Sequence, residues 1–196
     1  YPLTEIGQTT RSNRKIGLGI MGWADMLFSM LIPYDSEEAV KLADRVFSFI
    51  DRESKEASRD LAKKRGPFPN YQLSVYQKNG EPPIRNATTT TIAPTGTISI
   101  IAGVSSGIEP LFALAFRRNV LDKANLLEVH QMFKELALRE GFYSESLLEK
   151  IMEKGTVRGI TAVPERYQRV FATSHDVSPE WHIRTQAAFQ AHTDNA

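Results

Sequence analysis

Three hydroxyl side chains surround one glycine in Thr95-Gly96-Thr97-Ile98-Ser99, directly after Pro94 closes the β-branched run Thr88 to Ala93. Residues of these types in this order suit anion binding. The run Thr88 to Ala93 reads as a buried strand, and the proline ends its ladder. Gly96 lets a ligand approach the backbone closely. The apolar turn Ile98 to Ala102 then begins a short helix, whose first amides have no partner within the helix and carry partial positive charge. A hydrogen bond to a charged group contributes about 1.5–3 kcal/mol, so about four or five would hold a diphosphate without a lysine. The same residues also suit an ordinary turn capped by threonine and serine, and local physics leaves both readings open. The Gly-Lys-Ser/Thr ending of the common nucleoside-triphosphate loop is absent.

Other candidate chemistries are weaker. Gly17-Leu18-Gly19-Ile20-Met21-Gly22 spells the dinucleotide-binding pattern, but the segment before it, Gln8 to Lys15, is polar. The acid expected about 20 residues later would be Asp44, in the middle of a helix. These glycines are expected to let a strand–helix joint pack closely, not to bind a cofactor. There is no cysteine, which excludes disulfides, thiolate metal sites and thiol nucleophiles. No two of His130, His175, His182 and His192 have the i, i+4 spacing of a helical metal site. No metal site and no catalytic residue is assigned. Arg117 and Arg118 follow an apolar run and are expected at a solvated strand end. His182 is expected to pack or cap, and Trp23 and Trp181 to fill core.

Several elements would position the candidate loop. The segment from Lys15 forms a short strand or extended turn that leads into a helix ending before Pro33. Ser36 caps a long helix with Glu37 and Glu38 in its first turn. Its expected apolar stripe is Val40, Ala43, Phe47, Ile50, Ala57 and Leu61, and it ends at Lys63-Lys64-Arg65-Gly66-Pro67. The mixed charges of 51–65 are expected on a solvated face. Residues 66–85 read as loop, with Phe68, Tyr71 and Tyr76 tucked in. Leu111 to Phe116 reads as a second apolar strand and Leu126 to Arg139 as a helix stopped by Gly141. Ser144 caps a helix to Gly155, Pro164 opens a short one to Phe171, and Ser178-Pro179-Glu180 begins the last.

The chain has 196 residues, with 41% hydrophobic and 24% charged, as in an ordinary globular protein. Its net charge of +1 gives no reason to expect a nucleic-acid polymer or a membrane surface as partner. No apolar run approaches the roughly 20 residues of a membrane span, and the first residues lack a secretory leader pattern. A cytoplasmic location is expected. The chain opens at Tyr1 without a methionine and stops at Ala196 in a stretch that reads as helix, so an excerpt of a longer polypeptide is expected.

The run Ile92-Ala93-Pro94-Thr95-Gly96-Thr97-Ile98-Ser99, followed by Ile101-Ala102-Gly103 and Ser105-Ser106-Gly107-Ile108-Glu109-Pro110, resembles the substrate-phosphate loop of the adenosylcobalamin-dependent (class II) ribonucleotide reductases. Arg14 to Gly22, Glu56-Ala57-Ser58 with Leu61-Ala62, and Pro179 to Arg184 with Gln186 to Gln190 are similar to that family in the same order. The resemblance spans essentially the whole chain.

It implies an α/β fold, with residues 1–196 forming one helix-rich segment of a ten-stranded α/β barrel. The phosphate-loop region would be 88–110 and the C-terminal helical part 125–196. It implies reduction of ribonucleoside di- or triphosphates by a cobalamin-initiated thiyl-radical mechanism. Pro94, Thr95, Gly96, Thr97, Ile98 and Ser99 would hold the substrate phosphates, through the amides of Gly96 to Ile98 and the three hydroxyls. Glu109 is expected to be structural. Adenosylcobalamin would belong to the parent enzyme, with no cofactor expected on this segment alone. Expected partners are the ribonucleotide, the remainder of the barrel and a second copy of the chain in a homo-oligomer. The family's thiyl-radical cysteine, reducing cysteine pair, nearby asparagine and glutamate, and C-terminal cysteine shuttle have no counterparts here, so the segment alone is expected to be inactive. The alternative is a catalytically silent phosphate-binding or assembly module whose open strand edges need a partner.

Overall fold

The computed structural model describes residues 1–120 and 124–195, and for 116–120 and 124–128 the backbone path alone. The chain divides into two compact units. The first comprises Tyr1–Ile20, Leu42–Ala93 and Ala187–Ala196; the second comprises Met21–Lys41 and Pro94–Gln186. Among the described residues, no helix is long and apolar enough to cross a membrane.

Helix α1 (Thr4–Asn13) opens the first unit and ends at Arg14, which adopts left-handed backbone with φ 47°. Residues 16–18 then run beside 88–91. The Ile16 and Leu18 amides donate to the Thr88 and Thr89 carbonyls, and the Thr91 amide donates to the Leu18 carbonyl. This parallel pairing is reduced to one bridge, Leu18 with Thr90, where a strand from Thr88 to Ala93 was expected. The cause lies in the threonines. Thr89 and Thr90 direct amide or hydroxyl groups to Asp194, and the Thr90 hydroxyl donates to the His192 carbonyl. These groups are therefore not free to extend a ladder on that side.

Helix α3 (Glu37–Arg65) runs through both units, and the Ser36 hydroxyl caps it by accepting from the Ala39 amide at 3.1 Å. Its early buried positions are Ala39, Ala43 and Phe47, but farther along they are Ser58 and Ala62, while Ala57 and Leu61 face solvent. The expected stripe is therefore off by one residue in its second half. The inward face there is made of small hydroxyl residues with polar partners. Ser54 donates to Thr89 Oγ1 at 2.9 Å, and Ser58 donates to Asn86 Oδ1 at 2.8 Å. The 51–65 face is also not wholly solvated, because Lys55 sits between Asp51 and Asp194 at 2.7 and 3.2 Å.

Residues 66–85 contain the 3₁₀ turn Pro69–Leu73 and helix α4 (Val75–Lys78). Phe68, Tyr71 and Ile84 form a small core there, joined by Tyr76, as the aromatic tuck predicted.

In the second unit, α2 (Trp23–Met30) and α5 (Gly96–Ala102) precede an antiparallel hairpin, β1 (Ala115–Val120) with β2 (Ala124–Val129), paired from Ala115↔Val129 to Val120↔Ala124. The expected strand at 111–116 thus begins only at Ala115. The expected helix from Leu126 begins at Gln131, as α6 (Gln131–Arg139). A short apolar run satisfies either period, and β1 supplies the main-chain partner that makes this one a strand. The expected solvated position of Arg117 and Arg118 lies outside the described side chains. Helices α7 (Glu145–Lys154), α8 (Glu165–Val170) and α9 (Pro179–Gln190) follow. Ser144 caps α7 by accepting from the Leu147 amide. Phe28, Leu114, Phe133, Leu147, Ile151, Val157, Tyr167 and Phe171 form the second unit's core.

Candidate functional site

The glycines of residues 17–22 permit close packing. A Cβ on Gly17 would stand 2.7 Å from Thr91 Cγ2, and one on Gly19 would stand 2.9 Å from the Thr91 carbonyl oxygen. Gly22 has φ 79° and begins α2, where its amide donates to the Ser105 carbonyl at 2.8 Å.

The candidate loop lies in the second unit. Thr95 is the N-cap of α5 and adopts left-handed backbone, φ 55° and ψ 23°. For a β-branched residue this conformation is strained and must be held by its surroundings. Here the Gly107 amide donates to Thr95 Oγ1 at 2.7 Å. The left-handed turn exposes the start of α5. Among the described residues, the amides of Gly96, Thr97 and Ile98 have no acceptor, and the first amide of the helix to find one is Ser99, donating to the Thr95 carbonyl at 2.9 Å. Pro94, Gly96, Thr97 and Ile98 are exposed. Among the described residues the Thr97 hydroxyl has no partner, and of the three hydroxyls it is the one that stands free at the surface.

Ser99 is placed differently. Its side chain is 1% exposed, and its hydroxyl lies between the Gly96 carbonyl at 3.3 Å and the Ser106 hydroxyl at 3.0 Å. It braces the turn from beneath. The segment 103–107 that completes the loop is fixed by Asp25, a residue that no local motif singles out. Asp25 accepts from the Ser105 amide at 2.7 Å and from His130 Nε2 at 2.9 Å. Burial pushes the Asp25 carboxyl up, but the hydrogen bonds from His130 and Ser105 outweigh it and hold it below its ordinary 3.8.

A cavity of about 400 Å³ opens along the other side of α5, lined by Ser99, Ile100, Ser106, Glu109 and Phe112. Its lining does not include Gly96, Thr97 or Ile98, so the free amides stand outside it. The Glu109 carboxylate makes no hydrogen bond or ion pair among the described residues, although a structural role was expected of it. Tyr34 is buried nearby and donates to the Ile108 carbonyl at 3.0 Å. Burial pushes the Tyr34 hydroxyl up to about 12 against a smaller opposing effect of the nearby Thr185 hydroxyl, and the Glu109 charge adds the least of the three. His182 packs beside Tyr34, with ring centroids 6.2 Å apart, and its Nε2 lies 3.2 Å from the Ser174 carbonyl. Among the described residues, no cluster of three or more His, Asp or Glu is placed to hold a metal ion.

The model for the ribonucleotide reductase barrel domain matches residues 1–196. The chain belongs to this family. A vitamin B12-dependent ribonucleoside-diphosphate reductase of Thermoplasma acidophilum is 49% identical over 195 residues, covering 100% of this chain and 25% of that protein. One of the same description from Mycobacterium tuberculosis is 47% identical over 196 residues, with 28% of its length covered. The chain therefore spans about a quarter of the length of these curated relatives. Among solved structures, the class Id ribonucleotide reductase alpha subunit of Actinobacillus ureae superposes with a TM-score of 0.80 at 25% identity, covering 95% of this chain and 33% of that one. In this reductase-family chain, the loop from Pro94 to Pro110 carries at its exposed tip three consecutive amides, Gly96 to Ile98, that have no acceptor among the described residues.

Proposed function

We propose that this chain supplies the substrate phosphate-binding turn of a vitamin B12-dependent ribonucleoside-diphosphate reductase, within a ten-stranded α/β barrel. The observation that carries the reading is the set of three neighbouring amides, Gly96, Thr97 and Ile98, that find no acceptor among the described residues. Unpaired amides at a helix start attract an anion, and the Thr97 hydroxyl adds a fourth donor. Thr95 and Ser99 then act through shape. Thr95 sets the left-handed turn and Ser99 braces it, so neither hydroxyl points to the substrate as its main role. The similarity to reductases acting on diphosphates favours a ribonucleoside diphosphate.

The thiyl radical, its reductants and the cofactor belong to other parts of the parent enzyme. This segment has no cysteine and is inactive alone. Adenosylcobalamin supplies the radical that starts the reaction in this reading, but the imidazoles here do not fit a ligand for its cobalt. His130 and His192 bond Asp25 and Asp44, His182 bonds the Ser174 carbonyl, and His175 packs edge-on against Phe112. The reading places the corrin against other parts of the barrel. Those parts would also cover Ile98, Ile100, Ile101 and Phe112, which are 55, 71, 81 and 72% exposed in this chain.

The test is Thr97→Val in the whole reductase, which keeps the shape and removes one donor. Loss of a hydrogen bond to a charged group weakens diphosphate binding by about tenfold or more, seen as a raised KM with kcat little changed. An unchanged KM for the diphosphate, with unchanged stability, would overturn the reading.

A further inference from the structure

The first unit carries a second group of unpaired donors. A cleft of about 480 Å³ is lined by five cations, Arg11, Arg14, Lys15, Arg65 and Arg85, with Thr10 and Asn86 among its other walls. No carboxylate lines it. Among the described residues, none of the five pairs with an acid, whereas Arg52, Lys55, Arg59 and Lys63 on α3 all do.

The cleft is built on buried polar groups. Asn86 donates from Nδ2 to the Arg14 carbonyl at 2.8 Å, and Ser58 holds Asn86 through both its amide and its side chain. The Ala87 amide donates to the Asn13 carbonyl at 3.0 Å. This network keeps Arg14 at φ 47°, a conformation that glycine or asparagine adopts at lower cost. An arginine there has a use for its side chain. Its Nε is buried and has no hydrogen-bond partner among the described residues. Arg85 commits Nη1 to the carbonyls of Arg65 and Gly66 at 2.9 and 3.0 Å, leaving its other guanidinium nitrogens without an acceptor among the described residues.

Helix dipoles do not balance this charge. The C-termini of α1 and α3 end here, each contributing about half a negative charge. Against five cations that leaves an excess of about four positive charges. Arg14 and Arg65 also stand close enough to Arg85 to lower its affinity for a proton, after burial as the larger cause. An arrangement of planar guanidinium groups with free donors and no internal acid fits the tetrahedral oxygens of a phosphoryl group.

We propose that this cleft is a second phosphoryl-anion site, separate from the turn at Gly96, taking either free inorganic phosphate or the phosphates of a nucleotide. The apolar side chains of Ile16 and Leu61 in its lining would distinguish the two sources by contact with a base.

The experiment is calorimetric titration of the whole reductase at low ionic strength, with inorganic phosphate in one arm and a nucleoside diphosphate in the other. The Thr97→Val background weakens the first site, so that the second is read by itself. Binding that weakens with added salt, and that falls by about tenfold or more in Arg14→Gln and Arg65→Gln, supports the site. A diphosphate that binds about tenfold more tightly than phosphate identifies a nucleotide as the ligand, and equal affinity identifies phosphate. Arg11→Gln and Lys15→Gln alter side chains exposed at the rim and give the same reading should the Arg14 variant misfold. Phosphate binding unchanged across these rim variants, or none in the Thr97→Val background, overturns the proposal. A failed Thr97 test leaves this one intact, because the two sites share no residue.

Discussion

Alanine at Gly17 and alanine at Gly19 should behave differently towards a change at Thr91, although all three residues meet within one short stretch of backbone. A Cβ on Gly17 would overlap the Thr91 side chain, at 2.7 Å from Cγ2 and 2.9 Å from Cβ. A Cβ on Gly19 would instead overlap the Thr91 carbonyl oxygen at 2.9 Å, its next contact being Cγ2 at 3.6 Å. Neither glycine has positive φ, so the cost is one of space. Forcing an extra methyl into a packed site costs about 1–3 kcal/mol, and the smaller unfolded-state entropy of alanine returns about 0.4–1 kcal/mol. Each variant should therefore lose about 1–2 kcal/mol locally. The Ile16 and Leu18 amides, which donate to Thr88 and Thr89, report that loss. Their hydrogen exchange should accelerate by about 5- to 30-fold. Adding Thr91→Ala removes the 2.7 Å contact and should restore about half of the loss in Gly17→Ala, but none in Gly19→Ala, because the carbonyl remains. Peptide-level exchange measured by mass spectrometry on the whole protein gives the four values. Equal rescue of both variants, or no acceleration in either, would refute the close-packing account of these glycines.

Asp194→Asn should destabilise the first unit by about 1–3 kcal/mol, since Asp194 accepts from Thr89 at 2.7 Å and pairs with Lys55 at 3.2 Å. Burial raises the Asp194 carboxyl, but the Thr89 amide and Lys55 outweigh it and hold it below 3.8. Its contribution is thus fully present above about pH 4 and lost as the pH falls through the folded value; the asparagine variant should show a flatter acid limb in urea unfolding. Asp25→Asn can keep an acceptor for the Ser105 amide or for His130 but loses the charge. Local opening at 103–107 should become easier by about 1–3 kcal/mol in exchange measurements. Thr95→Ala keeps the left-handed strain and strands the Gly107 amide, a loss of about 1–3 kcal/mol, whereas Thr95→Gly also relieves about 1–2 kcal/mol of strain and should unfold closer to the parent in thermal melts.

Most helices were legible because their signals are local. Ser36, Ser144 and Pro179 mark helix starts whatever the rest of the chain does, and the Phe68, Tyr71 and Tyr76 tuck depends on neighbours within a few residues. The phosphate turn was visible for the same reason, since proline, glycine and hydroxyls act on the backbone beside them. The misread positions each answer to a distant partner. Leu126 pairs with Arg118 across a hairpin and so is not helical, and Ser58 faces inward because Asn86 and Arg14 lie opposite it.

The sequence by itself therefore determined where helices begin, that no thiol is present, and which short loop could cradle an anion. Only the tertiary structure decided which hydroxyls of that loop are free. Ser99 was drawn under the turn by Ser106, and Thr95 was engaged by the Gly107 amide, leaving Thr97. It also gathered five cations from three separate stretches of chain into one cleft with no acid. The physical reason is range: caps and turns act within about four residues, whereas burial and charge balance depend on whatever the fold brings within a few ångströms.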